Sequence, residues 1–169
     1  MKRRRGRERG ATLVETALVA PLLFALVFGV IDFGFAWSRQ IAVRNGTHAA
    51  ARAAAVNEVG ADSSCNLAPA PASAGTARLM CLTKARSGLP ATSVRVRVAL
   101  GPDGQMRGRP VVVCTQYYAR SLSGLYRGVL DNRLITNRSE YRIEYADAAT
   151  PIVAAEESTL AGTWDWCTA

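Results

Sequence analysis

The sequence contains few of the side chains from which enzyme active sites are built. It has a single histidine, His48, and it contains no GxSxG, P-loop or GxGxxG motif. His48 lies in a predicted helix, where we expect it to be solvated. The adjacent carboxylates Glu156 and Glu157 lie in a polar C-terminal stretch, and their spacing defines no acid–base pair. We therefore expect a protein that is not an enzyme and that uses no cofactor.

Cysteine is also scarce, and its spacing excludes the common cysteine sites. The chain has four cysteines, and none lies within three residues of another, so no CxxC redox or zinc motif exists. With one distant histidine, we expect no metal site. An even number of cysteines in an oxidising compartment indicates two disulfides. Of the three connectivities, we favour Cys65–Cys81 with Cys114–Cys167, because the first pair flanks a single Pro/Ala-rich loop.

Positive charge is concentrated at one end of the chain. The net charge is +8, and residues 1–10 supply +5 of it through Lys2 and five arginines set against Glu8. The other 159 residues hold 15 basic and 12 acidic side chains, scattered rather than interleaved with aromatics in a stripe. Nucleic-acid-binding surfaces have that stripe. We therefore expect no nucleic-acid partner.

An apolar run follows the basic segment directly. No charged or strongly polar side chain occurs in residues 17–31, and Asp32 alone interrupts the run before Trp37. A helix needs roughly 20 residues to span the hydrocarbon core, and Leu13 to Phe33 is long enough. The basic flank places the N-terminus in the cytoplasm under the positive-inside rule. We expect one transmembrane helix in a lipid bilayer, with Asp32 at its outer end and everything after about residue 38 outside.

One glutamate, Glu15, lies inside this run, where an ionisable side chain is costly and is a functional-site hypothesis. Gly10 has no side chain, so it suits a cleavage site at which a protease closes on the backbone. Cleavage after Gly10 would make Ala11 the new N-terminus. Its amino group could pair with Glu15 of the same chain or of a neighbour, which would offset the cost of burying both charges.

The rest of the chain predicts a small α+β protein. We expect one helix over about residues 12–58, transmembrane in its first half and kinked at Pro21, because proline removes a backbone hydrogen bond. The Pro/Ala-rich residues 59–92 are aperiodic and predict a linker or surface loop. The predicted organisation is a basic leader at 1–10, a helix at 11–58, a linker at 59–92 and an extracytoplasmic head at 93–169.

Within the head, alternating apolar residues predict three strands of an antiparallel sheet, at 93–100, 111–118 and 139–146. The spacing of Leu122, Leu125 and other apolar residues predicts a helix near 119–135 that covers the sheet. The fold class is therefore a long helix followed by an antiparallel sheet plus one helix.

The stretch "RGATLVETALVAPLLFALVFGVIDFGFAW" resembles the N-terminus of the TadE-like pseudopilins of tight-adherence (Tad/Flp) pilus systems. The matching features are Gly10, Val14-Glu15, Ala17-Leu18, Pro21, the leucine-rich run from Leu22 to Leu26, and Gly29 or Gly34. The helix "VRNGTHAAARAAA" and the strand around Arg142 and Glu144 also resemble that family.

The resemblance implies a minor pilin of the bacterial cytoplasmic membrane that takes part in the assembly of a pilus used in adhesion. Its partners would be a prepilin peptidase that cleaves after Gly10, the major pilin, other pseudopilins and the membrane assembly platform. Glu15 would guide docking of the subunit into the growing helix bundle, and the kink at Pro21 would affect that packing.

Two other interpretations remain open. The first 36 residues could be a signal peptide, cleaved after Ala36, that releases a secreted binding module, or the chain could be a signal-anchored envelope protein that is never cleaved. Gly10 with Glu15 and the length of the apolar run favour the pseudopilin interpretation, because a usual signal core has only about 7–15 residues.

Overall fold

A computed structural model describes residues 5–61, 65–146 and 149–169, with side chains from Thr12 onward. The first four residues of the basic leader lie outside the described residues. The elements are α1 (Arg5–Val56), α2 (Ala74–Arg86), β1 (Val94–Leu100), β2 (Pro110–Tyr118), α3 (Arg127–Leu130), β3 (Leu134–Arg142) and β4 (Ala155–Glu156). A long N-terminal helix followed by a small antiparallel sheet with helices confirms the predicted α+β class.

The long helix α1 runs without interruption through Pro21. It ends at Val56, and the next residue, Asn57, has a φ of 58°, in the left-handed region that asparagine tolerates better than most residues. The N–H groups of Asn57 and Glu58 cap the carbonyls of Ala54 and Ala53. The second half of α1 packs into the head, while most of its first half does not.

The sheet has the strand order β3-β2-β1-β4, and its pairs are antiparallel. The strands expected at 93–100 and 111–118 are confirmed as β1 and β2. The third strand begins at Leu134 and ends at Arg142, so it starts five residues earlier than the alternation at 139–146 indicated. Two residues of the C-terminal stretch add β4 to the free edge of β1, which the sequence did not indicate.

The two faces of the sheet are covered by different parts of the chain. Val94, Val96 and Val98 of β1 face α1 and α2, because alternate side chains on a strand point to the same side. The core on this side consists of Val43, Ala50, Ala51, Ala54, Val59, Leu79, Met80, Val94, Val96, Val98, Val111, Val113, Tyr117, Ile143 and Ile152. On the opposite face, the C-terminal tail places Trp164 and Cys167 against Val112 and Cys114.

The segment expected to be a linker contains α2. Ser73 is its N-cap and accepts a hydrogen bond from the N–H of Thr76 at 3.5 Å. The helix buries Leu79 and Met80 in the core. It also packs closely on α1 at Gly46, where an added Cβ would lie 2.9 Å from the backbone nitrogen of Ser87. Packing of this kind, rather than intrinsic helix propensity, stabilises most short helices in proteins.

The helix expected over 119–135 is not formed, and only the short α3 occurs there. Gly124 has a φ of +80°, which a right-handed helix does not contain, and β3 begins at Leu134. The apolar side chains that suggested the helix do not cover the sheet. Leu122, Leu125 and Val129 are instead exposed on the surface.

Both disulfides join the cysteines as expected. Cys65–Cys81 ties the chain before α2 to that helix, and Cys114–Cys167 ties the C-terminal tail to β2. They close segments of 16 and 53 residues. In the chain-entropy model each such cross-link stabilises the fold by about 3–4 kcal/mol.

Candidate functional site

The first half of α1 presents an apolar surface that the rest of the chain leaves mostly uncovered. Within the described residues, α1 is the one helix that is long and apolar enough to cross a membrane. Only 6% of its most apolar 18-residue window is buried, whereas the core helix of a soluble protein is mostly buried. Its large exposed side chains are Leu13, Val14, Leu18, Val19, Leu22, Leu23, Phe24, Leu26, Val27, Phe28, Val30, Ile31 and Phe33.

The apolar surface has the length of a bilayer core and a carboxylate near each end. Residues 12–32 extend about 31 Å at about 1.5 Å per residue, which matches a hydrocarbon thickness of about 30 Å. Glu15 and Asp32 are 17 residues apart in α1. This separation corresponds to about 26 Å along the axis. The structure places these two carboxylates in very different surroundings.

Glu15 is exposed on the surface of α1. It borders a shallow groove along the helix whose other lining residues are Thr12, Thr16, Val19, Ala20, Leu23 and Phe24. Because residues three and four apart on a helix lie on one face, the carboxylate stands at the N-terminal end of an apolar strip. Pro21 is also exposed, and since it has no N–H it leaves the carbonyl of Ala17 without its usual helical donor.

Gly10 and Ala11 belong to the first turns of α1, where the structure describes the backbone only. Ala11 and Glu15 are four residues apart in the same helix and therefore lie on the same face. A helix that began at Ala11 would have Glu15 next to its first turn. A carboxylate near a helix N-terminus is favourable, because the free N–H groups there carry partial positive charge.

Asp32 is fully buried against the head, and sequence reasoning missed its role. We name residues 119–130 the clasp loop, because they lie against α1 at this point. The carboxylate of Asp32 accepts hydrogen bonds from the hydroxyls of Ser121 at 2.6 Å and Ser123 at 2.8 Å. It also accepts hydrogen bonds from the backbone N–H groups of Leu122 at 3.1 Å and Ser123 at 2.8 Å. Asp32 is therefore a structural anchor for this loop as well as a polar interruption of the apolar run.

Tyr126 of the clasp loop reaches further along α1 toward its N-terminus. Its hydroxyl donates to the carbonyl of Ala25 at 2.6 Å, and its ring packs edge-on against Phe33 with centroids 5.8 Å apart. Gly29 makes this approach possible, since a Cβ there would lie 2.9 Å from the tyrosine hydroxyl. The head thus contacts α1 within the segment proposed to span the membrane.

The close approach at Gly29 predicts a selective effect of side-chain size. We expect Gly29→Val to displace Tyr126 and to destabilise the attachment of the clasp loop by about 1–3 kcal/mol, the usual cost of overpacking. Arg127 lies in the clasp loop, so a loosened loop should be cleaved there faster by trypsin than the loop of the unmodified chain. The cleavage is measured in detergent micelles by mass spectrometry. Gly34→Val is the matched control, because nothing lies within 4 Å of a Cβ at Gly34. Equal cleavage rates in the two variants would contradict the close packing of Tyr126 on Gly29.

A second buried carboxylate, Glu157, holds the C-terminal tail to the helices. Its Oε1 lies 2.7 Å from Nζ of Lys84, and the two side chains are 0% and 1% exposed. Its Oε2 accepts the N–H of Val96 at 2.9 Å, and its carbonyl accepts the indole N–H of Trp164 at 2.8 Å. The polar character of the C-terminal stretch did not indicate this burial, and the adjacent Glu156 is exposed.

Among the residues that the structure describes, no group of three or more His, Cys, Asp or Glu side chains is placed to hold a metal. His48 is partly buried rather than solvated, because its Nδ1 lies 2.8 Å from the hydroxyl of Ser139 on β3. Burial raises the pKa of the core residue Tyr117 to about 12, because a buried phenolate would lose its hydration.

Comparison with known proteins adds one finding to this geometry. Residues 10–52 match the family model described as TadE-like protein. That match begins at the glycine of the expected cleavage site and covers the apolar half of α1 together with part of the half that packs into the head. None of the curated proteins and none of the solved structures matches the chain.

Proposed function

Because this chain carries a TadE-like segment, which indicates a structural protein associated with Tad pili, we propose that it is a membrane-anchored minor pilin that is cleaved after Gly10. A prepilin peptidase would be the processing enzyme, and the mature subunit would begin at Ala11. Its partners would be the major pilin, other pseudopilins and the assembly platform in the membrane.

The uncovered apolar strip of α1, with Glu15 at its N-terminal end, carries this proposal. Lipid satisfies an apolar helix surface in the membrane, but lipid tails do not satisfy a carboxylate. A neighbouring subunit whose helix is shifted by about one turn would bring its terminal amine next to Glu15. That ion pair would draw the subunit into register in a bundle and would remain satisfied within it.

The charge distribution supports one orientation in the membrane. The basic leader would stay on the cytoplasmic side, as the positive-inside rule requires. The head and its two disulfides would then lie outside the cytoplasm, in a compartment where disulfides persist.

The contacts of the clasp loop argue against a secreted module. Cleavage after Ala36 would remove Ala25, Gly29, Asp32 and Phe33, and with them the hydrogen bonds and the ring contact that hold the clasp loop on α1. In a secreted head that lacked residues 1–36, the hydroxyl and N–H groups of the clasp loop that donate to Asp32 would lose this acceptor. An uncleaved anchor is compatible with these contacts and differs from the proposal in the roles of Gly10 and Glu15.

The proposal is tested by Glu15→Ala in a host that carries only the variant chain. We expect membrane levels to stay unchanged, because the anchor only becomes more apolar, and pili per cell to fall at least about tenfold, since breaking a buried ion pair costs about 3–5 kcal/mol. Electron microscopy counts the pili, and Glu58→Ala, an exposed glutamate beyond the apolar run, is the control. Normal pilus numbers with Glu15→Ala would refute the docking role.

A further inference from the structure

The clasp loop exposes a cluster of large apolar side chains beside the membrane helix. Leu122 and Leu125 are each 58% exposed and Val129 is 51% exposed, although the head has a well-formed core elsewhere. Three exposed arginines, Arg120, Arg127 and Arg133, lie in or next to the same loop. A cluster of apolar side chains accompanied by basic ones is the composition of segments that bind in a membrane interface.

The attachment of the clasp loop to α1 determines the depth of the loop relative to the bilayer. Asp32 and Ala25 both hold the loop, and they are seven residues apart in α1. These seven residues correspond to about 10 Å along the helix. With residues 12–32 spanning the hydrocarbon core, the Tyr126 hydroxyl lies about 10 Å inside its outer boundary, and Leu125 is the adjacent residue.

Most backbone N–H groups of the clasp loop have acceptors, as a low-dielectric environment demands. An unpaired N–H in hydrocarbon costs several kcal/mol, so irregular backbone near the membrane must satisfy itself. The carboxylate of Asp32 accepts hydrogen bonds from two backbone N–H groups, those of Leu122 and Ser123. Including those two, the N–H groups of the loop with acceptors are those of Ala119, Ser121, Leu122, Ser123, Gly124, Leu125, Val129 and Leu130.

We propose that the clasp loop is a second membrane contact of this protein, in which Leu122, Leu125 and Val129 insert into the outer leaflet. The three arginines interact with lipid phosphates at the surface, their aliphatic stems lying along the apolar side chains. We assign lipid as the occupant because the loop that carries the cluster is bound to α1 at Ala25 and Asp32, within the segment whose apolar side chains are exposed. This inference depends on α1 spanning the bilayer and does not depend on the pilus role.

The opposite end of the head provides an internal reference. Met106 is 53% exposed in the hairpin between β1 and β2, and the neighbouring Gln105 donates to Asn57 at the far end of α1. Asn57 is 25 residues beyond Asp32, so Met106 lies roughly 38 Å from the outer boundary of the membrane. Met106 and Leu125 are therefore comparably exposed apolar residues at opposite ends of the head.

Photocrosslinking distinguishes the two ends. The full chain, carrying p-benzoylphenylalanine in place of Leu125, Met106 or Phe24, is reconstituted in vesicles of phosphatidylethanolamine and phosphatidylglycerol, irradiated and analysed by mass spectrometry. Phe24, on the exposed face of α1, is the positive control, and retention of both disulfides verifies folding.

We expect phospholipid adducts at position 125 at a yield close to that at position 24 and several-fold above that at position 106. A yield at position 125 no higher than at position 106 would overturn the proposal. A crosslink from position 125 to a second copy of the chain, in place of lipid, would also overturn it, since that would make the cluster a protein interface. Neither result would bear on Glu15, whose test uses pilus number.

Discussion

Glu157→Gln is expected to lower the free energy of unfolding of the head by about 3–5 kcal/mol, the usual cost of removing one partner of a buried ion pair. The substitution leaves the ammonium of Lys84 buried and opposite a neutral amide. It also weakens the acceptor of the Val96 N–H, and with it the connection between the C-terminal tail and the edge of the sheet. We expect this loss of stability to exceed the loss from neutralising an exposed carboxylate of the head.

Chemical denaturation of the full chain in detergent micelles, followed by near-ultraviolet circular dichroism, measures this effect, because Trp164 donates to the carbonyl of Glu157 and reports on the tail. Glu140→Gln is the matched control. Glu140 pairs with Arg138 at 2.8 Å, but their side chains are 49% and 43% exposed. Such surface pairs are worth about 0–1 kcal/mol.

A double variant separates charge from packing at the same position. Lys84→Met with Glu157→Leu removes both charges, and buried ion pairs replaced in this way by apolar residues of similar size often lose little stability. We expect the double variant to be more stable than Glu157→Gln. A double variant as unstable as the single one would show that the ion pair is not the source of the loss.

Asp32→Ala is expected to detach the clasp loop from α1 while leaving the core of the head intact. The substitution removes the acceptor of two hydroxyls and two backbone N–H groups. Hydrogen bonds to a charged group contribute about 1.5–3 kcal/mol each, so we expect a loss of about 3 kcal/mol or more in the local stability of the loop. Because about 1.4 kcal/mol corresponds to a tenfold change in an equilibrium constant, the open population should rise roughly a hundredfold.

Limited tryptic cleavage after Arg127 measures this opening when opening and closing are fast relative to cleavage. The full chain in detergent micelles is the substrate, and near-ultraviolet circular dichroism verifies that the core persists. Asp103→Ala is the control, because Asp103 is exposed in the distant hairpin and pairs with Arg109. A cleavage rate for Asp32→Ala equal to that of the control would exclude the anchoring role of Asp32.

Features set by local pattern could be predicted from the sequence. The apolar run of α1 and the alternation in β1 and β2 are each visible within a few residues, and the structure confirms them. The disulfide pairing was also correct, because Cys65 and Cys81 enclose one segment and leave the other two cysteines to each other.

Features that depend on distant partners could not be predicted. Lys84 and Glu157 are 73 residues apart, and each lies in a stretch whose composition indicates solvent exposure. Helix α2 was missed for a related reason, since its small residues indicate a linker until α1 supplies the surface on which Leu79 packs. The burial of Lys84, Glu157 and α2 results from packing between different elements. The periodicity of apolar residues within one element does not show such packing.

The clasp loop is not the sheet-covering helix that was predicted near residues 119–135, although its apolar residues have helical spacing. Leu122, Leu125 and Val129 recur as they would in a helix covering a sheet, but they are exposed, and Gly124 breaks the helix. The sequence did contain a usable signal. An aspartate at the end of a transmembrane run requires donors, and two serines beside a glycine at residues 121–124 supply them.

Processing of the chain as a pilin is tested most directly by the N-terminus of the protein recovered from its host's membrane. Intact mass and terminal peptide sequencing should show a chain that begins at Ala11, and Gly10→Val should leave the leader attached. A mature chain beginning at Trp37, or one that retains Met1 or Lys2, would contradict pilin-type processing.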